Sequence, residues 1–340
     1  MASVEDIGID LGSSNVLIAE RGKGVVLNEP ALLAYNHDTR SITAVGAEAY
    51  RMIGREPAGV SVVRPLNKGA IQDFDMLSVM LNYFVMRVVG RHLFNRPRAL
   101  MSISATANEI EKRQLILGML ESGARRTQII ERPLAAALGA GSSIGEVRGR
   151  MVADIGGATT DIAVISSGEI MARSILDTGG DAFTDALIRF IRLKHNLLVG
   201  WRTAEDIKGT IGTADLSDPN ALTLPVAGRN LVSGLPRQVD VTSEECAEAA
   251  EEPLRGLIEG LHSVFEQIPT ELANDVYEDG ILLTGGGARM RGLRSVIEHE
   301  MQMPVIIADH PQECIALGCS LVLERPGEFT RVLGDARRVR

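Results

Sequence analysis

Two short stretches of this 340-residue chain repeat one pattern, an aspartate between aliphatic residues followed by small residues. Residues 9–15 read IDLGSSN, and residues 153–160 read ADIGGATT. The two aspartates, Asp10 and Asp154, are 144 residues apart, which is close to half of the chain. Each stretch predicts a strand that ends in a small-residue turn and leads into another strand. The repeat indicates a duplicated domain whose halves face each other across a ligand; two unrelated β-hairpins are the alternative.

The small residues of these turns suit the phosphates of a nucleotide. Because they lack bulky side chains, the backbone can approach closely, and consecutive N–H groups form an anion-binding concavity. An aspartate repels a phosphate unless a cation lies between them, so Asp10 and Asp154 point to a hydrated Mg²⁺ ion. A third turn, Thr284–Ala288, suits close packing against a base or a ribose. No Gly-Lys-Ser or Gly-Lys-Thr sequence occurs, which excludes a P-loop.

Along the rest of the chain, short β-branched runs alternate with helical runs, which predicts an α/β protein. We expect an amphipathic helix over 73–89 and a long helix over 243–267. Thr106 and Glu109 fit a capping box before a helix that ends near Gly123.

Composition restricts the class of protein. A formal net charge of −9 argues against nucleic acid as the main partner, because phosphate binding needs basic patches. The three cysteines neither suffice for a disulfide framework nor show the spacing of a zinc site. The N-terminus lacks the pattern of a signal peptide, and the apolar run over 76–89 is too short to cross a bilayer. We therefore expect a cytoplasmic protein of about two domains.

Seven segments between residue 6 and about residue 323 resemble the MreB/Mbl family of bacterial actins. This family is a branch of the superfamily of actin, sugar kinases and heat-shock chaperone ATPases. The segments are DIGIDLGSSN (6–15), GKGVVLNEP (22–30), RPLNKGAIQD (64–73), DIGGATTDIAVI (154–165), NLLVGWRTAEDIK (196–208), GRNLVSGLP (228–236) and LLTGGGARMRGL (282–293).

The resemblance implies an α/β actin-like ATPase fold, with two lobes built on a duplicated mixed-sheet domain and a nucleotide cleft between them. Lobe I would span residues 1–141, with a small subdomain near 32–67, and would be completed by a closing helix over 312–323. Lobe II would span 142–311, with its small subdomain near 182–245. An Arg-rich tail would follow over 324–340.

The resemblance also implies roles for single residues around ATP and Mg²⁺. Asp10 and Asp154 would hold Mg²⁺ through water, and Glu205 and Lys208 would contact the ribose and the adenine. Without the resemblance, the latter two would be interpreted as a solvated ion pair. The phosphate loops would be Gly12, Ser13, Ser14, Asn15 and Gly156, Gly157, Ala158, Thr159, and the adenosine loop would be Gly285, Gly286, Gly287, Ala288.

By the same resemblance, the protein would polymerise with ATP into filaments on the inner face of the cell membrane. These filaments would organise cell shape and cell-wall synthesis, with membrane proteins of the cell-elongation machinery as partners. Leu93 and Phe94 would form the contact with the anionic membrane surface; a loop tucked into the core is the alternative. The Arg-rich tail is interpreted as a solvated end rather than a lipid site.

One position departs from the family. The family pattern Ile-Glu-Glu-Pro reads here Ile130-Glu131-Arg132-Pro133. In the superfamily the residue before the proline helps to place the attacking water, and a guanidinium offers only donors. Asp161 and Glu131 are the remaining catalytic candidates, so we expect tight ATP binding and slow hydrolysis. Alternatively, Arg132 points to solvent and has no role.

Two other functions belong to the same superfamily. A small-molecule kinase would need a carboxylate aimed at a substrate hydroxyl, and no second set of candidate residues is evident. A peptide-binding chaperone would need a separate substrate domain, for which the sequence offers no segment.

Overall fold

The structure is a computed structural model that describes residues 6–90, 96–329 and 333. The proposed membrane loop at Leu93 and Phe94 therefore lies outside the described residues, as does most of the Arg-rich tail.

The first half of the chain forms ten strands and four helices within the described residues. They are β1 (Ile7–Leu11), β2 (Asn15–Glu20), β3 (Gly24–Pro30), β4 (Leu33–Asn36), β5 (Ser41–Val45), α1 (Ala47–Met52), β6 (Val60–Val63), β7 (Leu66–Asn67), β8 (Ala70–Ile71), α2 (Phe74–Val89), β9 (Arg98–Ile103), α3 (Glu109–Glu121), β10 (Arg126–Glu131) and α4 (Arg132–Gly139).

The second half contributes eight strands and six helices to the described part of the chain. They are β11 (Arg150–Ile155), β12 (Thr160–Ser166), β13 (Glu169–Leu176), α5 (Gly180–His195), β14 (Leu197–Leu198), α6 (Trp201–Ile211), β15 (Thr223–Asn230), β16 (Pro236–Thr242), α7 (Ser243–Glu266), α8 (Thr270–Asp279), β17 (Ile281–Thr284), α9 (Leu293–Met301), β18 (Val305–Ile307) and α10 (Cys314–Glu324). A short 3₁₀ helix, Gly286–Arg289, follows β17.

Two five-stranded mixed sheets share one topology. The order is β10-β9-β1-β2-β3 in the first sheet and β18-β17-β11-β12-β13 in the second. In each sheet the central strand, β1 or β11, pairs antiparallel with the strand that follows it in the chain. On its other side it pairs parallel with a strand from much later, β9 or β17. The predicted α/β class and the duplication are thus confirmed.

Three smaller sheets accompany the two large ones. Strands β5-β4-β6 form one beside α1, strands β14-β15-β16 form another beside α5 and α6, and β7 and β8 form a short hairpin. Each of the two three-stranded sheets has a small core of its own, separate from the cores of the large sheets.

Helices α4 and α10 pack together between the two large sheets. Their apolar side chains share one core with Leu100 and Ile130 of the first sheet and Val152 and Ala163 of the second. The helices approach so closely that a Cβ on Gly318 would overlap the carbonyl group of Ala135. Glycine is therefore required at this crossing.

The predicted start of α3 was wrong by two residues. The capping box consists of Asn108 and Glu111 rather than Thr106 and Glu109. The hydroxyl of Thr106 instead shares a hydrogen bond of 2.8 Å with that of Ser104 in the preceding turn. Hydroxyl and amide side chains both cap helices well, so the sequence pattern alone could not choose between them.

Candidate functional site

A cleft of about 740 Å³ lies between the two large sheets. This volume is within the range of small-molecule sites. The cleft brings together most of the residues that the sequence singled out. Its lining includes Asp10, Gly12, Ser13, Ser14, Asn15, Arg132, Asp154, Gly156, Gly157, Ala158, Thr159, Asp161, Glu205, Lys208, Gly285, Gly286 and Gly287.

The two repeated turns have the same backbone geometry and meet across the cleft. The N–H of Gly12 donates to the carbonyl of Asn15 at 3.1 Å, and the N–H of Gly156 donates to that of Thr159 at 2.9 Å. A Cβ on Gly157 would lie 2.5 Å from the Cβ of Ser14. Among the described residues, the buried hydroxyl of Ser14 has no hydrogen-bond partner. The two turns are therefore in direct contact where Gly157 meets Ser14.

The two strand-end aspartates are held in matching ways. Ser102, at the end of the neighbouring parallel strand β9, donates to Oδ1 of Asp10 at 3.1 Å. Thr284, at the end of the neighbouring parallel strand β17, donates to Oδ1 of Asp154 at 2.9 Å. Both carboxylates are buried. Because burial disfavours the charged form, the pKa of Asp10 is raised above its ordinary value.

Arg132 points into the cleft and lies between the aspartates. Its Nη1 is 3.1 Å from Asp10 Oδ1, and its Nη2 is 3.3 Å from Asp154 Oδ2. Its Nε is 3.5 Å from Asp161 Oδ2. Burial alone would lower the pKa of Arg132, but the three carboxylates raise it above the ordinary value. The guanidinium is therefore charged, and the alternative of a solvent-facing Arg132 does not hold.

The two carboxylates proposed for hydrolysis lie in different places. Asp161 lines the cleft, and burial raises its pKa to about 6. Its Oδ1 is buried without a hydrogen-bond partner among the described residues. Glu131 instead pairs with Arg173 at 2.7 Å and lines a second cavity of about 550 Å³. The structure thus brings Asp161 into the nucleotide cleft and places Glu131 outside it.

The acidic pair has the chemistry of a Mg²⁺ site that retains water. Mg²⁺ prefers oxygen ligands and usually keeps several of its waters. Asp10 and Asp154 would supply such oxygens from both sides of the cleft in exchange for their contacts with Arg132. In residues 6–90, 96–329 and 333, no group of three or more acidic, His or Cys side chains could itself hold a metal ion. A hydrated ion fits these residues better than a fully protein-ligated one.

The region predicted for the ribose and the base forms the far wall of the cleft. Lys208 Nζ donates to Glu205 Oε1 at 2.5 Å, to Thr184 Oγ1 at 2.7 Å and to the carbonyl of Gly180 at 2.8 Å. This half-buried network differs from a solvated ion pair. Ala288 is fully buried behind the Gly285–Gly287 turn and does not line the cleft.

A contact between the elements beside the two three-stranded sheets closes one side of the cleft, and sequence reasoning missed it. We call it the clasp; it consists of Tyr50, Arg64, Asp181 and Trp201. Arg64 forms an ion pair with Asp181, and its guanidinium lies 5.6 Å from the centroid of the Trp201 ring. Tyr50 packs edge-on against the same ring at 6.5 Å. Arg64 and Trp201 occur in sequence segments that resemble the family. That resemblance was the signal from which the contact could have been predicted.

No helix within the described residues is both long and apolar enough to cross a membrane.

The sequence of this chain is similar to those of known bacterial cell shape-determining proteins. The family model described as MreB/Mbl protein matches residues 4–331. The cell shape-determining protein Mbl of Bacillus subtilis is 40% identical over 319 residues, which cover 94% of this chain and 96% of that protein. The cell shape-determining protein MreB of Escherichia coli is 40% identical over 324 residues, with 94% and 93% coverage.

Solved structures show the same fold. The crystal structure of MreB 5 of Spiroplasma citri bound to AMPPNP superposes with a TM-score of 0.90 at 33% identity, covering 96% of this chain and 98% of that one. The MamK double helical filament gives a TM-score of 0.78 at 20% identity over 94% of this chain and 98% of that one, a likeness of fold alone. The two sheets and their cleft are thus those of an actin-like protein.

Proposed function

Since this chain belongs to the MreB/Mbl family of cell shape-determining, actin-like proteins, we propose that it binds ATP with Mg²⁺ in the cleft and assembles into filaments. The observation that carries the proposal is the pair of facing turns, each preceded by a buried aspartate. The backbone N–H groups of Gly12–Asn15 and Gly156–Thr159 would bind the phosphates, and Glu205 and Lys208 would bind the nucleoside. Residues 1–141, completed by the closing helix, and 142–311 would act as the two lobes.

Within this site, Asp10 and Asp154 would orient a hydrated Mg²⁺ ion, which supplies positive charge to the phosphate oxygens when bound. Asp161 has a carboxylate oxygen without a hydrogen-bond partner among the described residues and would polarise the attacking water. Arg132 occupies the position from which the family's glutamate would accept a hydrogen bond. We therefore expect ATP to bind tightly and to be hydrolysed slowly.

A larger side chain at the contact between the two turns tests the location of the nucleotide. Gly157→Val places its side chain against Ser14 and should weaken ATP binding at least tenfold in calorimetry, since contacts to a charged group are lost. Gly145→Val is the matched control, because a Cβ at Gly145 meets no atom within 4 Å. Equal affinity of the wild type and the Gly157 variant would place the nucleotide elsewhere.

Arg132→Glu tests the hydrolysis proposal because it restores the acceptor of the family. A water-orienting group contributes typically 10²–10⁴-fold to a rate, so phosphate release with Mg²⁺ should rise by about tenfold or more. Arg289→Glu changes the charge of the same cleft without touching the aspartates and serves as control. An unchanged rate would make Arg132 a bystander, and a slower one would mean that it stabilises the transferred charge.

Membrane association is the second part of the proposal and rests on sequence. Inserting Leu93 and Phe94 would contribute roughly 3–6 kcal/mol, which is about millimolar to tens of micromolar binding for a monomer. A filament would bind through many such loops at once. The resemblance to the family implies that these would be cytoplasmic filaments on the inner face of the membrane, with elongation-machinery proteins as partners.

The double variant Leu93→Ser/Phe94→Ser tests this coupling. It should stay folded and bind ATP but lose pelleting with anionic liposomes. Undiminished pelleting would place the anchor elsewhere, and loss of folding would make these residues part of the core.

A further inference from the structure

The strongest unassigned feature is the buried charge cluster of Asp10, Arg132, Asp154 and Asp161. The guanidinium spans both halves of the site, since it contacts Asp10 of the first sheet and Asp154 and Asp161 of the second. The Arg132 side chain is 12% exposed, and the three carboxylates are 9%, 2% and 2% exposed. These four groups interact where solvent screens them weakly.

Among the described residues, Arg132 is the one cationic side chain within 4.0 Å of these three carboxylates. Their other side-chain partners, Ser102 and Thr284, are neutral hydroxyls. The nearby Lys208 is engaged by Glu205 and Thr184 on the far wall. Without Arg132, three buried carboxylates would face the incoming phosphates with no positive charge between them, and the nucleotide would be repelled.

We propose that Arg132 is a built-in cation that competes with Mg²⁺ for Asp10 and Asp154 and makes nucleotide binding only weakly dependent on the metal. The inference rests on the proposed binding of ATP in this cleft. A guanidinium keeps its charge at all relevant pH values, and its planar fork matches a phosphate as well as a carboxylate. Because a guanidinium has five N–H donors, Arg132 can contact a phosphate while it stays beside the three carboxylates. Its Nε is buried and has no hydrogen-bond partner among the described residues, so this N–H group can donate to a phosphate oxygen.

The experiment compares ATP affinity in excess EDTA and in excess Mg²⁺, measured by calorimetry. For the wild type, the two dissociation constants should differ by less than about fivefold, since a charged contact worth roughly tenfold or more is supplied by the protein. For Arg132→Gln, the metal is the remaining cation. Affinity in EDTA should therefore fall by roughly tenfold to hundredfold relative to the wild type, whereas affinity in Mg²⁺ stays close to it.

Arg289→Gln is the matched control, because it removes one positive charge from the lining of the same cleft. Its ratio of affinities in EDTA and Mg²⁺ should equal that of the wild type. A wild-type ratio above about fivefold, or equal ratios for the wild type and Arg132→Gln, would overturn the inference and leave Arg132 as a structural tie. If the Arg132 variant fails to fold, the ratio of affinities measured for the wild type still tests the inference. Absence of ATP binding to the wild type in both conditions would instead refute the proposed function.

Discussion

A single methyl group added at Gly318, where α4 and α10 cross, should destabilise the protein. A Cβ on Gly318 would overlap the carbonyl oxygen of Ala135 and lie 2.8 Å from its carbonyl carbon and 3.0 Å from the backbone nitrogen of Gly139. All three atoms belong to the backbone of α4, so no side-chain rotation can relieve the overlap. Gly318→Ala must therefore push the two helices apart.

The expected cost follows from two opposing effects. Overpacking a core costs typically 1–3 kcal/mol, and a contact with backbone belongs at the upper end, about 3 kcal/mol. Alanine is favoured over glycine inside a helix by about 1 kcal/mol. The net destabilisation is about 2 kcal/mol, which corresponds to a fall of about 3 °C in Tm for a chain of this size. ATP affinity measured in EDTA should fall as well, because α4 carries Arg132 at its start.

Thermal unfolding followed by circular dichroism measures the effect. Gly256→Ala is the matched control, because Gly256 lies inside α7 and a Cβ there meets only Thr178 Oγ1, at 3.8 Å. This control should gain the helix propensity without the overlap and melt at or above the wild-type temperature. A Gly318→Ala protein that melts like the Gly256 variant would refute the tight crossing.

Three further predictions concern the cleft. Trp201→Ala removes the aromatic and cation–π contacts of the clasp. It should speed the release of a fluorescent ATP analogue, measured by stopped flow, by roughly 5- to 50-fold. Lys68→Ala is the control, because it breaks an exposed ion pair and should change the release rate by less than about twofold. Because the folded-state pKa of Asp161 is raised to about 6, its ionisation costs stability as pH rises from about 4 to 6. Asp161→Asn should therefore raise the free energy of unfolding at pH 7 by an amount on the order of 3 kcal/mol, seen as a higher Tm, and this gain should shrink toward pH 4; a pH-independent difference would contradict the assignment. Lys208→Met should weaken ATP binding by about tenfold in calorimetry, and unchanged affinity would remove Lys208 from the site.

The repeated turns could be predicted from the sequence because each turn is specified by a few neighbouring residues. A run of β-branched residues followed by glycine and small hydroxyl residues predicts a strand and its turn from a few neighbouring positions. Both turns, their aspartates and the duplicated α/β architecture were found in this way. The start of α3 was missed because two equally good capping patterns lie two residues apart, at Thr106 and at Asn108. Local pattern thus located the elements and left their ends less certain.

The partners of the site residues were decided by tertiary structure. Arg132 is 122 residues from Asp10 and 22 from Asp154, and it reaches both because α4 begins between the two sheets. No local pattern specifies that geometry; the sequence showed only that an arginine stands where the family has a glutamate. Ser102 and Thr284 likewise meet the aspartates through the pairing of parallel strands that are distant in the chain. The sequence alone determined the two turns and most of the charged groups of the site. The packing of the two sheets around α4 and α10 decided which of these groups meet, because contacts between distant segments depend on the whole core.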